Sequence, residues 1–231
     1  MGDARTMRIE ITPAFREAFP DGVFGALVAR ECWNRPRASA IDADRHKVET
    51  QLRERYREQA IDADPVAVAY AGYFRRFGGR YPVVHQAKGV IAGRQIASAS
   101  ALVEAMFTAE LASLVLTSGH DLRALDGGLR ADVARAGETY TKLSGKEQAL
   151  RAGDMIVRDT TGIIASVVHG PDHRTRIGED TTAALFGAWC PRGIPPSTVE
   201  AHLLTLAGLL RREWPGALVE APRILRADGT G

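Results

Sequence analysis

Two cysteines, Cys32 and Cys190, stand far apart among 231 residues. So few exclude a disulfide-built fold and a cysteine-rich metal module. Lysine is almost as scarce, at Lys47, Lys88, Lys142 and Lys146, and aromatic residues make up 6%. No apolar run approaches the roughly 18 residues that a bilayer crossing needs. The start, MGDARTMRIEI, lacks a basic stretch leading into an apolar one, which argues against a secretory leader and for a cytoplasmic protein. Gly2 and Thr6 formally satisfy a myristoylation pattern, but a match that short is weak. Also missing are a Gly-rich phosphate loop ending in Lys-Ser/Thr, G-x-G-x-x-G after a strand, H-E-x-x-H and G-x-S-x-G. Nucleotide hydrolysis, dinucleotide binding, zinc proteolysis and α/β-hydrolase chemistry lose their usual signatures. A site assembled from distant residues is not excluded.

What is present is ordinary folded-protein composition: 45% hydrophobic, 25% charged, net charge +2. Basic residues are nearly all arginine, which suits phosphate and base contact and equally reflects a GC-rich coding bias. Alternation predicts a strand at 7–12, and Pro13 opens a short helix. VFGALVARECW (23–33) reads as a buried strand. From Asp44 the charged segment, with Arg45 four residues before Glu49, reads as a solvated helix. Asp64-Pro65 caps the next helix. Residues 83–116 read as two helices broken near Ser98–Ser100. From about Leu122, short apolar pieces between Gly and Asp turns predict a run of antiparallel strands. Ser197 and Glu200 predict a capping box opening the helix 197–214. RADGTG reads as a frayed tail. Helices first and strands after imply α+β, as a single domain over 1–231.

The richest polar segment is Ser166-Val167-Val168-His169-Gly170-Pro171-Asp172-His173-Arg174-Thr175. Gly170-Pro171 argues against a helix there, so the two histidines do not form a helical metal pair. Two readings stay open: an ordinary turn with exposed histidines, or a site loop in which His is a base or donor. The second candidate segment is Tyr70–Tyr81, where aromatics lie beside Arg75, Arg76 and Arg80. It is either a helix with buried rings and solvated arginines, or a surface on which RNA stacks.

Four motifs in order carry a family resemblance. They are ALVEAMFTAELASLVLTSGHDLRALDG; Gly137, Glu138, Tyr140, Leu143 and Gly145; Gly153, Asp154, Val157, Asp159 and Gly162; and Arg174, Thr175, Ile177 and Thr181. The stretch from about 82 to 190 thereby resembles the B3/B4 domain of the phenylalanyl-tRNA synthetase β subunit, more closely its free-standing relatives. The resemblance implies an antiparallel, β-sandwich-like core flanked by helices, with 1–81 as an N-terminal extension. It implies a trans-editing hydrolase that deacylates mischarged aminoacyl-tRNA, with tRNA as partner and no DNA, membrane, cofactor or metal. On it, His169, His173 and Ser166 are the catalytic candidates. Asp172, Glu138, Thr175, Ala165 and His120 are the substrate-binding candidates, and Arg75, Arg76, Arg80 and Arg174 the RNA-binding ones. Met106-Phe107 replaces the family's Thr-Asn pair, which turns a polar pocket wall apolar and puts the amino-acid specificity in doubt. A non-catalytic aminoacyl-tRNA or amino-acid binding module, or a small-molecule enzyme reusing the pocket, are the alternatives.

Overall fold

The computed structural model describes residues 7–96 and 99–229. The myristoylation pattern and the last two residues of the expected tail lie outside that range, as does part of the expected helix break. Strand β1 (Ile9–Ile11) leads into α1 (Pro13–Ala18), whose first turn is capped by Thr12. Strand β2 (Val23–Arg30) follows. Four helices come next: α2 (Asp42–Arg55), α3 (Pro65–Arg76), α4 (Pro82–Ile91) and α5 (Ala101–Ser113). Strands then dominate: β3 (Thr117–Asp121), β4 (Leu129–Val133), β5 (Thr139–Thr141), β6 (Glu147–Ala149), β7 (Met155–Arg158), β8 (Ile163–Ser166), β9 (Gly170–Pro171) and β10 (Ala183–Cys190). Helix α6 (Pro196–Glu213) and strands β11 (Leu218–Val219) and β12 (Arg223–Arg226) complete the order. The protein is α+β.

One sheet runs β1-β4-β7-β8-β9, the other β11-β2-β10-β3 with β12 also on β2; β5 and β6 form a separate hairpin. Pairing is antiparallel except between β1 and β4. Strand β2 is buried along almost its whole length, so it reads as a continuous apolar run instead of an alternation. Gly25 lets α6 lie against it: a Cβ there would stand 2.7 Å from Val199 Cγ1 and 2.8 Å from Leu203 Cδ1.

Several expectations need correction. Helix α6 has no capping box; Pro195 precedes it and Pro196 fills the first position, where a missing N–H costs nothing. The start of the expected tail is paired: Arg226, the last residue of β12, lies opposite Val23, and Ala227 N donates to Gly22 O. The charged helix α2 is not simply solvated. Arg45 is buried against Glu104 (3.2 Å) and Asp42, and buried Glu49 accepts the Ile96 N–H. The strands begin earlier than Leu122, with the polar TSGHD of β3.

The Asp64-Pro65 cap forms as its sequence predicts. Asp64 accepts from Val66 N at 2.9 Å, and also from Tyr56 Oη and Arg55. Asp64→Ala is expected to cost about 1–2 kcal/mol, the usual worth of an N-cap. Urea unfolding checks this, and Asp64→Asn should recover most of the loss.

Candidate functional site

A cavity of about 410 Å³ opens where the edge of β3 away from β10 meets α4, α5 and the β8–β9 hairpin. Its walls are mainly apolar, with Val103, Met106 and Phe107 from α5, Val168 from the hairpin, and Leu116 and Ile177. The apolar α5 wall expected from Met106-Phe107 therefore faces this space. Gly119 keeps the floor low: a Cβ there would stand 2.6 Å from Ile177 Cδ1 and 3.3 Å from Met106 Sδ.

Polar groups break this surface at few points. Glu110 is buried and accepts the Thr117 N–H at 2.6 Å; burial pushes its carboxyl up to about 8. The indole of Trp189, 1% exposed, has an Nε1–H with no hydrogen-bond partner. His169 lines the cavity from the hairpin turn, closed by Gly170 at φ +83°. Burial lowers the His169 pKa, partly opposed by the charge of Asp154. Ser118 lines the cavity from β3.

Behind Ser118 runs a buried chain of side chains. Ser118 Oγ is 2.7 Å from His120 Nε2, and His120 Nδ1 is 2.7 Å from Thr175 Oγ1. Thr175 Oγ1 donates to Asp172 Oδ1, which also accepts the Thr175 N–H at 3.0 Å. Arg174 Nε sits 3.8 Å from the other Asp172 oxygen. Strand alternation puts Ser118 and His120, two apart, on one face of β3. Burial, then the Arg174 charge, holds His120 down at about 3, so the ring is neutral. Directions follow from the donor inventory. Thr175 spends its proton on the carboxylate, so it accepts from Nδ1–H, and Nε2 is left to accept the Ser118 hydroxyl.

The expected site residues divide. His169 and Ser166 line the cavity, and His120 and Thr175 stand one layer behind it. The Ser166 hydroxyl is committed: it donates to Asp154 and accepts the His169 N–H at 3.0 Å. Asp172 does not face the cavity; burial raises its pKa, and it closes the chain behind Ser118. His173 turns outward with Nδ1 3.1 Å from the Leu143 carbonyl, because the strand pairing at Gly170-Pro171 separates it from His169. Glu138 pairs with Arg158 and the Arg135 N–H, and Ala165 is buried in strand pairing. Neither lines the cavity. Ser118, Glu110 and Trp189 were not among the expected site residues; a Ser-x-His pattern on a polar strand was the one signal available for Ser118.

Of the arginines, Arg75 and Arg80 line a second groove with His85 and Lys88, on the opposite side of α4 from the cavity. Arg76 instead lies over the Phe77 and Phe19 rings. Arg174 is held by Asp159 at 2.8 Å and by the Ala124 carbonyl. Among the described residues no three His, Cys, Asp or Glu side chains are placed to hold a metal ion, and no helix is long and apolar enough to cross a membrane.

Residues 90–211, more than half of the chain, match the model of the B3/4 domain. The chain belongs to the B3/4 domain family. This B3/4 match reaches from α4 into α6, so the C-terminal helix falls within it, whereas the motifs read from the sequence end near residue 190. Among solved structures the chain is similar to an N-terminal fragment of the phenylalanyl-tRNA synthetase β subunit from Pyrococcus horikoshii. Identity is 13%, the TM-score 0.48, and the likeness covers 92% of this chain and 50% of that one. The B3/4 protein thus spans half the length of that neighbour. No curated protein matches it in sequence.

Proposed function

We propose that this B3/4 protein is a trans-editing hydrolase, which removes a wrongly attached amino acid from tRNA by cleaving the aminoacyl ester. The observation that carries the reading is the cavity: about 410 Å³ within mainly apolar walls, in the range of small-molecule sites, with a few buried polar groups among its lining residues. An aminoacyl ester is already activated, so a site needs to hold the acyl group, place the attacking oxygen and stabilise an oxyanion. Met106 and Phe107 favour an apolar side chain as the one held. Glu110, whose proton comes off easily beside a cation, supplies a partner for the substrate ammonium. The groove across α4 from the cavity offers the positive charge of Arg75 and Arg80 for the tRNA phosphates, while its Lys88 is paired with Asp62.

Incubation with a panel of correctly and incorrectly charged tRNAs tests this. Loss of one mischarged species, faster than its spontaneous hydrolysis, is the expected result. The Arg75→Ala, Arg80→Ala double variant should raise KM about tenfold with kcat little changed, and shallow the salt dependence of binding. Retention of charged tRNA without turnover would instead identify a binding module. A protein that neither retains nor deacylates any charged tRNA would overturn both, and leave a small-molecule reading.

A further inference from the structure

Ser118 differs from the other hydroxyls at the cavity. Ser166 gives its proton to Asp154, and Thr117 Oγ1 lies 2.7 Å from His202 Nε2 on the other face of β3. Only Ser118, among these three residues, both lines the cavity and sets its hydroxyl against a neutral imidazole whose far nitrogen is anchored toward a carboxylate. The strand also supplies an electrophilic contact. Thr117 N–H leaves the edge of β3 away from β10 for Glu110, and Asp121 N–H leaves the same edge for the Thr175 carbonyl, where His120 bridges Arg176. Alternation along a strand then aims the Gly119 N–H off the same edge, between those two, where Gly119 lines the cavity. That is the N–H of the residue following Ser118. Trp189, whose buried Nε1–H has no partner, lines the same space.

We infer that Ser118 is a catalytic nucleophile, activated by His120, and that ester cleavage passes through an acyl-serine. The inference rests on the ester-hydrolase reading above, and its test separates the two. In the first half, Ser118 Oγ bonds to the ester carbonyl carbon and its proton passes to His120 Nε2. The carbonyl oxygen becomes an oxyanion that accepts from Gly119 N–H. Collapse breaks the bond to the alcohol oxygen, which takes the proton from Nε2 and leaves. In the second half a water attacks the acyl-serine and gives its proton to Nε2. Collapse expels Ser118 Oγ, which recovers that proton, and the free acid departs. Thr175 and Asp172 are positioning residues: they fix which ring nitrogen carries hydrogen and hold the imidazole in line with Oγ.

A fluorophosphonate tests the nucleophile without tRNA, because an activated hydroxyl displaces its fluoride and the phosphonyl-serine resists water. Peptide mass spectrometry of the labelled protein should place the phosphonyl group on Ser118. Ser118→Ala should abolish labelling, and His120→Asn should slow it on the order of a thousandfold. Thr175→Val should slow it on the order of tenfold, with Thr175→Ser restoring it. A loss of packing alone would not follow that order, since serine lacks the methyl that valine keeps. Circular dichroism and a thermal melt establish that each variant folds. No label on Ser118 in the folded wild-type protein would overturn the inference, as would undiminished labelling in Ser118→Ala. Mischarged tRNA deacylated at the wild-type rate by Ser118→Ala would also overturn it, leaving the proposed function intact with water as nucleophile. Labelling of Ser118 in a protein that deacylates no charged tRNA would uphold the nucleophile and remove the tRNA reading.

Discussion

Asp154→Ala is expected to destabilise the protein by about 3–5 kcal/mol, because it strands two buried hydroxyl donors at once. Asp154 is 1% exposed at the turn entering β7. Its Oδ1 accepts from Tyr73 Oη at 2.6 Å, and its Oδ2 accepts from Ser166 Oγ. Tyr73 in turn accepts the Met155 N–H at 2.6 Å. One carboxylate therefore ties α3 to two neighbouring strands. For a chain of this length each kcal/mol lowers Tm by roughly 2–4 °C, so calorimetry should show a fall of about 6–20 °C. Asp154→Asn keeps two polar atoms in place and should lose less than half as much. The alanine variant should also weaken the cavity, since Ser166 holds the His169 N–H in the hairpin turn. A loss below about 1 kcal/mol for the alanine would mean that water fills the gap and satisfies both hydroxyls.

Stability should peak near pH 6.5, with opposite slopes on either side. His120 and His202 are ordinary histidines near 6.5 in the unfolded chain, and burial holds them at about 3 and about 4 in the fold. Their contribution is present above 6.5 and is lost as pH falls toward those values. Glu110 moves the other way, from 4.5 to about 8 by burial, so its contribution is present below 4.5 and is lost as pH rises through 8. Between 4.5 and 6.5 the unfolded chain binds two protons on the histidines that the native state refuses. The native state keeps one on Glu110 that the unfolded chain releases. For these three groups the net difference is one proton, which makes stability rise with pH by about 1.4 kcal/mol per unit, and the lowered His169 adds to that rise just below 6.5. Between 6.5 and 8 Glu110 is the one of the three that differs, and stability falls at a similar rate. Urea unfolding at half-unit steps of pH reads these slopes. Glu110→Gln should flatten the alkaline side and steepen the acid one. A wild-type profile that is level from 6.5 to 8 would mean that Glu110 is ionised in the fold, and would remove the protonated acid from the cavity.

The parts of the fold that could be read from sequence are those whose information is local. Strands β2, β8 and β10 are apolar runs bounded by turn residues, and Asp64-Pro65 and Pro13 mark helix starts by the chemistry of one or two side chains. Strand β3 could not be read that way. Thr-Ser-Gly-His-Asp has no apolar periodicity, and it follows a helix closely enough to look like the end of one. Its polar residues are tolerated inside because Thr175 and His202, 55 residues or more along the chain, satisfy them. The most informative strand of the site was therefore the least visible. The loop at 166–175 was legible as a place but not as an arrangement. His169 and His173 differ by four residues, yet the Gly170-Pro171 pairing sends one ring to the cavity and the other to the surface. Arg45 and Glu49, spaced as a helical ion pair, found separate buried partners, because tertiary carboxylates and amides outcompete a weak surface contact.

Strand β2 has consequences for how this molecule comes into being. It ends at Arg30, yet the strands that hydrogen-bond to it, β10, β11 and β12, all lie beyond residue 182. During synthesis this eight-residue, almost entirely apolar segment must wait for the ribosome to deliver the residues from Arg30 to Ala183 before it can pair. Loop-closure entropy on that scale slows folding, and an unpaired apolar strand is a template for association with other chains. The nascent chain should accordingly depend on chaperones until β10 emerges, and truncation before β10 should yield aggregates, not a smaller folded unit.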